Sequence, residues 1–277
     1  PLVTASQGVH VVVSRDRFPI NEAVLVPKTA DGRVLFAVPW LGATVIGTTD
    51  TPRQDAPLEP LPYQEELDFI FREARQALGV QLSRSDVRSV WVGLRPLVAH
   101  APGVATSQMS REHLIARDAP GFFTITGGKW TTYRAMAEDV LDTCFDAGLL
   151  ERLDAGVTTH LMLQGCGGPV SGVPKISDAP GIHAYGSEQQ AVLLLPGAQR
   201  QLGGGLSEAM VRFAARHEYA RTVEDVLARR SRLLFLDARL ASSLATQVAA
   251  ILLDETGLDP QLEAFLNLAR QYRHQDA

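Results

Sequence analysis

Cysteine is nearly missing from the sequence: Cys144 and Cys166 are the two in 277 residues, in no CxxC spacing and with no histidine pair near enough to complete a zinc site. A disulfide-framed fold and a structural zinc module are thereby excluded, and the usage fits a reducing compartment. Long apolar runs are lacking as well. Stretches such as Ala191–Leu195 and Val248–Leu253 fall far short of the roughly 18 residues a membrane-spanning helix needs. Nor is there an excess of positive charge: 26 Lys and Arg stand against 31 Asp and Glu, a net charge of -5. Such a balance gives a polyphosphate backbone no general attraction, and nucleic acid is not expected as a partner. Pro1 is followed by neither a basic segment nor the apolar core of a secretory leader, so an end made by truncation or processing is expected. What the chain does have is 45% hydrophobic residues over a length that suits one large or two ordinary domains.

Strand patterns dominate the first part. Val9–Val13, Ala23–Val26, Val34–Val38 and Thr44–Thr48 are β-branched or apolar runs separated by turn residues such as Asp31-Gly32 and Leu41-Gly42, and an antiparallel sheet connects them most simply. From Gln64 the period becomes helical, with Leu67, Ile70, Phe71, Ala74 and Leu78 on one face and Gly79 at the stop. Strands resume at Val87–Leu94, near His113–Ala116 and at Phe122–Thr126, and Gly127-Gly128 opens a second helix reaching about Ala147. The fold class read from this order is α+β over residues 1–163. Between Gln164 and Gly186, nine of 23 residues are Gly or Pro, a density that breaks both periodicities and predicts a linker. Residues 187–277 then read as a separate helical domain, with helices at Ser207–His217, Thr222–Arg230, Ala238–Glu255 and Pro260–Gln271. That region holds ten Arg and no Lys against eleven acids, so the cluster Arg229-Arg230-Ser231-Arg232 reads as a solvated helix end.

Three places carry chemistry. At Thr126-Gly127-Gly128-Lys129-Trp130-Thr131 a strand gives way to a helix, where free N–H groups and a lysine favour negative charge and two glycines allow close approach. An ordinary strand-to-helix turn with a surface lysine has the same pattern, and geometry alone does not separate the two. Arg95 stands in the apolar strand Trp91–Leu97 with Pro96 holding it extended, where a charge needs either a carboxylate partner or an anionic ligand. His10, inside Val9–Val13, is a satisfied strand residue or a proton acceptor near neutral pH. Arg111, beside Glu112, reads by default as a surface ion pair. The glycines of Gly165-Cys166-Gly167-Gly168 and Gly203-Gly204-Gly205 are loop glycines: the first set has no following helix and the second no preceding strand.

Taken together, Gly8–Val13, Pro39–Gly42 leading to Ile46-Gly47-Thr48-Thr49-Asp50-Thr51, Gly93–Leu97, Gly127–Arg134 and Glu218–Arg230 resemble, in order and spacing, the FAD-dependent glycerol-3-phosphate dehydrogenases of bacteria and mitochondria. The glycine-rich strand-turn-helix that holds the ADP part of FAD in that family has no counterpart here, and Asp154–Gly205 has no firm match. The resemblance implies a flavin-oxidase-like substrate sheet with a glycine-led helix, followed by a C-terminal helical domain. It implies FAD as cofactor, with Gly127, Gly128, Lys129, Trp130 and Thr131 at its flavin end. It further implies Arg95, Arg111 and Lys129 as cations for glycerol 3-phosphate and His10 as the base for the C2 hydroxyl. Arg95 counts among both the catalytic and the substrate-binding residues. Electrons would pass to quinone at the inner face of the cytoplasmic membrane, the isolated piece being inactive. A homo-oligomer is left open. Two other readings stay open: an amine or amino-acid oxidase of the same superfamily, and a non-catalytic assembly module in which Arg95 and Lys129 lie apart, each paired to a carboxylate. For the dehydrogenase, the expectation is that Arg95, Arg111, Lys129 and His10 converge on one pocket without fixed acidic partners.

Overall fold

The strands are β1 (Val3–Ser14), β2 (Val24–Val26), β3 (Leu35–Trp40), β4 (Ala43–Gly47), β5 (Thr51–Arg53), β6 (Val87–Val98), β7 (His113–Ala119) and β8 (Phe122–Gly127), with helix α1 (Gln64–Ala77) before β6 and α2 (Tyr133–Asp146) after β8. They come from a computed structural model that describes residues 3–29, 32–98, 112–154, 156–166 and 175–273. The contacts divide the chain into two units. One comprises Pro1–Gly8, Asp50–Pro60 and Gly93–Leu163; the other comprises Val9–Thr49, Leu61–Val92 and Gln164–Ala277.

The second unit is organised by the valine run. Val9, Val11 and Val13 pack into a core with Leu67, Phe69 and Ile70 of α1, whereas Val12 faces the opposite side with Ala43 and Val45. A sheet covered on both faces needs no polar alternation, which is why Val9–Val13 is continuously apolar. β4 runs antiparallel to this half of β1, with His10 opposite Gly47 and Val12 opposite Val45, and β3 and β2 follow outward. β6 also pairs with β1. A buried polar relay fixes the end of β4 against α1. The Val9 N–H donates to Thr49 Oγ1 at 3.0 Å, that hydroxyl donates to Glu66 Oε1 at 2.8 Å, and Glu66 Oε2 accepts the Tyr63 N–H at 2.9 Å.

The helices of this unit are α3 (Gln189–Leu193), α4 (Glu208–His217), α5 (Leu233–Leu236), α6 (Ala238–Thr256) and α7 (Leu262–Tyr272). Ser207 caps α4 through the Met210 N–H, Asp237 caps α6 through the Leu240 N–H, and Gly257 at φ +66° ends α6. Phe213, Leu252 and Phe265 share their core with Val12, Ala43 and Val45. The expected division into 1–163 and 187–277 therefore does not follow the contacts, because these helices bury apolar surface against the valine sheet and not just against one another. The described part of the expected linker is also pinned down. The Leu41 N–H donates to the Ile176 carbonyl at 2.7 Å, the Gly42 N–H to that of Ser177 at 3.1 Å, and Ile182–Glu188 forms tight helical turns. Residues 167–174 lie outside the described residues. The Gly203-Gly204-Gly205 run, expected to lack a preceding strand, instead turns a short hairpin of β9 (Gln201–Gly203) and β10 (Leu206–Ser207), all three glycines at positive φ.

Charges in the helical part are matched locally. Arg229 pairs with Glu224 and Asp225 at 2.5 and 3.1 Å, as a solvated helix end would. Arg212 pairs with Glu208 at 2.6 Å, Asp254 at 2.8 Å and also Glu255, which takes Arg216 at 2.6 Å. Hydrogen bonds from Arg212 hold the Glu208 carboxyl below the usual range, and those from Arg216 and then Arg212 do the same for Glu255. Carboxyls depressed in the folded state contribute stability that is complete above the unfolded glutamate value of about 4.3 and is lost as pH falls through the folded values. Urea midpoints should accordingly fall as pH drops from about 5 towards 3, and Glu255→Gln should flatten that decline. An equal pH slope in the variant would mean that the cluster is not its source.

Candidate active site

The first unit carries the strand-turn-helix singled out above. β7 and β8 form a hairpin with His113 opposite Gly127 and Ile115 opposite Ile125. Gly127 and Gly128 sit at φ +75° and +78°, a region that L side chains avoid. Space is short as well: a Cβ on Gly127 would lie 2.7 Å from Val98 Cγ2 and 2.9 Å from the Glu112 carbonyl oxygen. Both glycines thus have a local reason in the turn itself. The helix does not begin at once, as the sequence suggested. Lys129 is extended, a tight turn spans Trp130–Thr132, and α2 proper starts at Tyr133. The turn closes through the Thr132 N–H and hydroxyl, both donating to the Lys129 carbonyl at 3.0 Å. Among the described residues, the N–H groups of Trp130 and Thr131 have no acceptor, and Lys129 has no carboxylate partner. Trp130 is 86% exposed and stacks on Tyr133, ring centroids 5.5 Å apart and planes 27° from parallel.

Gly127–Lys129 line one cleft of about 320 Å³ together with Leu94–Leu97 of β6. Arg95 and Lys129 are therefore brought together. Arg95 is not without a carboxylate, however, because Asp50 Oδ1 lies 3.8 Å from its Nη1. Both side chains are largely shielded, and Asp50 also accepts a hydrogen bond from the Ser6 hydroxyl. At 3.8 Å the pair has charge contact but not hydrogen-bond length. This corrects the expectation of cations lacking fixed acidic partners: a shielded Asp50 needs a nearby positive charge of its own. Nearby, Arg53 donates to Gln7 Oε1 at 2.6 Å and pairs with Asp55, which ties β5 to β1.

His10 belongs to the other unit. It sits half-buried in β1 beside Gly47 and Trp91. Arg111 lies outside the described residues. Of the four side chains expected to converge, two share a cleft. The sequence reading missed Asp50 and Trp91, although both stand inside segments it quoted. A carboxylate next to Thr49 and Thr51 near a strand end, and an indole four residues before Arg95, were the available signals.

The geometry can be set beside known proteins. A family model described as the C-terminal domain of alpha-glycerophosphate oxidase matches residues 125–263, and one described as FAD dependent oxidoreductase matches residues 1–134. A mitochondrial glycerol-3-phosphate dehydrogenase of Arabidopsis thaliana is 37% identical over 286 residues, covering 92% of this chain and 45% of the relative. That of Mus musculus is 35% identical over 277 residues, covering 91% and 37%. The chain thus spans less than half the length of these relatives. The crystal structure of the glycerol-3-phosphate dehydrogenase from Bacillus halodurans complexed with FAD has the same fold, with a TM-score of 0.71 at 24% identity, over 98% of this chain and 57% of that one. An α+β domain with C-terminal helices, carrying both family matches in this order, places the chain in the family of FAD dependent oxidoreductases that bear the C-terminal domain of alpha-glycerophosphate oxidase.

Proposed function

We propose that this chain forms the substrate-facing part of an enzyme that oxidises glycerol 3-phosphate to dihydroxyacetone phosphate with FAD as cofactor. The observation that carries the reading is the cleft shared by Arg95 and Lys129. An assembly module would keep these cations apart, whereas here Arg95, 3.8 Å from Asp50, and Lys129, with no carboxylate partner among the described residues, line one recess. An amine or amino-acid oxidase has no use for such a pair. The residues also fit a flavin. The uncommitted N–H groups of Trp130 and Thr131, the backbone at Gly127 and Gly128, and the Lys129 ammonium make a donor set for an electron-rich ring edge. When bound, FAD supplies the hydride acceptor.

In this scheme the phosphate dianion is taken by Arg111 and Lys129, and Arg95, deeper and shielded, holds the oxygen at the reacting carbon through its fork. Asp50, 3.8 Å away, balances part of its charge. His10 takes the proton of the C2 hydroxyl as hydride leaves C2. Quinone as the final acceptor, and a peripheral position at the inner face of the cytoplasmic membrane, belong to the same proposal. No helix among the described residues is long and apolar enough to cross a membrane.

The test is an assay of the full-length flavoprotein against glycerol 3-phosphate, sarcosine and glycine, with a quinone analogue or oxygen as acceptor. Turnover confined to glycerol 3-phosphate is expected. Turnover of an amine instead would overturn the substrate reading. The 277-residue chain alone should return no stoichiometric flavin band after gel filtration with FAD, because the ADP-binding element normally supplies much of a dinucleotide's affinity.

A further inference from the structure

The imidazole of His10 is held on two sides. Its ring stacks on the Trp91 indole with centroids 4.0 Å apart and planes within 17° of parallel. Opposite His10 in the β1–β4 register stands Gly47, and a Cβ built there would come 2.7 Å from His10 Cδ2 and 3.3 Å from Cγ. Gly47 is not at positive φ; what its missing side chain leaves room for is the imidazole, together with the Val9 carbonyl oxygen 3.0 Å from the same point. Phe36, also opposite Gly47 through β3, adds a tilted contact at 5.7 Å. Trp91 is itself positioned by packing. Its indole meets Phe235 edge-on at 5.7 Å and Trp40 at 6.4 Å, and its Nε1 has no acceptor among the described residues. An indole placed this way can settle over the ring plane of its neighbour, whereas a hydrogen-bonded one would be aimed by its N–H.

From this arrangement we infer that Trp91 and Gly47 are positioning residues for His10: the indole face and the bare backbone of β4 fix the imidazole plane and with it the direction in which its ring nitrogens point. The inference rests on His10 being the base of the proposed reaction. A free histidine turns about χ2 in a broad well, and a proton acceptor that swings is productive for a fraction of the time. Stacking removes that freedom without placing a charge or competing donor on the ring. The space at Gly47 is what lets the ring reach this position.

Two measurements test it. In the 277-residue chain labelled at histidine Cε1, the His10 resonance, assigned by its absence in His10→Gln, should carry a large upfield ring-current shift. Trp91→Phe should keep most of that shift, Trp91→Leu should lose it, and Gly47→Ala should change it by moving the ring. An unaltered shift in Trp91→Leu would overturn the clamp. In the full-length flavoprotein, Trp91→Leu should lower kcat by roughly tenfold to a hundredfold, the cost of a misplaced catalytic group, with little change in KM. Trp91→Phe should recover to within about threefold of the parent, as a ring that still stacks should. Wild-type turnover in Trp91→Leu together with an inactive His10→Gln would overturn the positioning role and leave the base in place. Wild-type turnover in His10→Gln would overturn the base, and the resonance shift would then report a clamp without a catalytic role.

Discussion

Replacing Arg95 by lysine in the full-length flavoprotein is expected to lower kcat/KM for glycerol 3-phosphate about 10- to 150-fold, most of it in kcat. The range follows from about 1.5–3 kcal/mol for a hydrogen bond to a charged group, lost when one ammonium replaces a planar fork. Lysine keeps the charge beside Asp50, so the fold should survive, and the loss measures geometry and not net charge. The 3.8 Å contact with Asp50 is one of charge and not a hydrogen bond, so lysine can keep it while losing the fork. Arg111→Ala and Lys129→Ala should instead raise KM chiefly, since a phosphate distant from the reacting carbon is bound alike in ground and transition states. Steady-state kinetics on the three variants separate these patterns. Equal losses in kcat and in KM across all three would mean that the cations form a general attractive field with no division of labour.

How far the sequence anticipates the structure depends on whether the deciding force is local. The run Val9–Val13, the helix begun at Gln64 and the helices expected at Ser207–His217 and Ala238–Glu255 were legible, because burial and period leave their mark in consecutive residues. The domain boundary was not. Gly and Pro density between Gln164 and Gly186 reports a break in periodicity, but whether such a stretch is a tether depends on what the backbone meets, here the carbonyl partners of Leu41 and Gly42. The same holds for α2. Gly127-Gly128 announced a strand-to-helix transition correctly, yet Lys129 stayed extended and the first turn was a tight one, backbone choices that residue type alone does not fix. At the site, each cation was visible alone as a charge in an apolar or helix-leading context. Asp50 was not, because a carboxylate 45 residues away in sequence becomes relevant only when β1 and β5 pair. Trp91 was taken as part of an apolar strand for a like reason: stacking on His10 is set by sheet topology and not by neighbours in the chain.

Removing the proposed base should give the largest effect. In the full-length flavoprotein, His10→Gln is expected to lower kcat by about 10²- to 10⁴-fold, the usual contribution of a positioned proton acceptor. Glutamine fills similar space and keeps polar atoms near the Trp91 face, so a fall in activity does not stand for collapse of the valine sheet around it. Flavin content and KM should stay close to the parent, because the cations of the Arg95 cleft are untouched. The pH profile gives the sharper distinction. A base must be unprotonated to act, so kcat/KM of the parent should fall on the acid side as the imidazole takes up a proton, and that limb should be missing in the variant. If His10 were instead a structural strand residue, the variant would lose thermal stability and flavin together while keeping the shape of the profile. A profile that keeps its acid limb in His10→Gln, at undiminished turnover, would assign the proton transfer to another group and would leave the stacked imidazole as part of the sheet's packing.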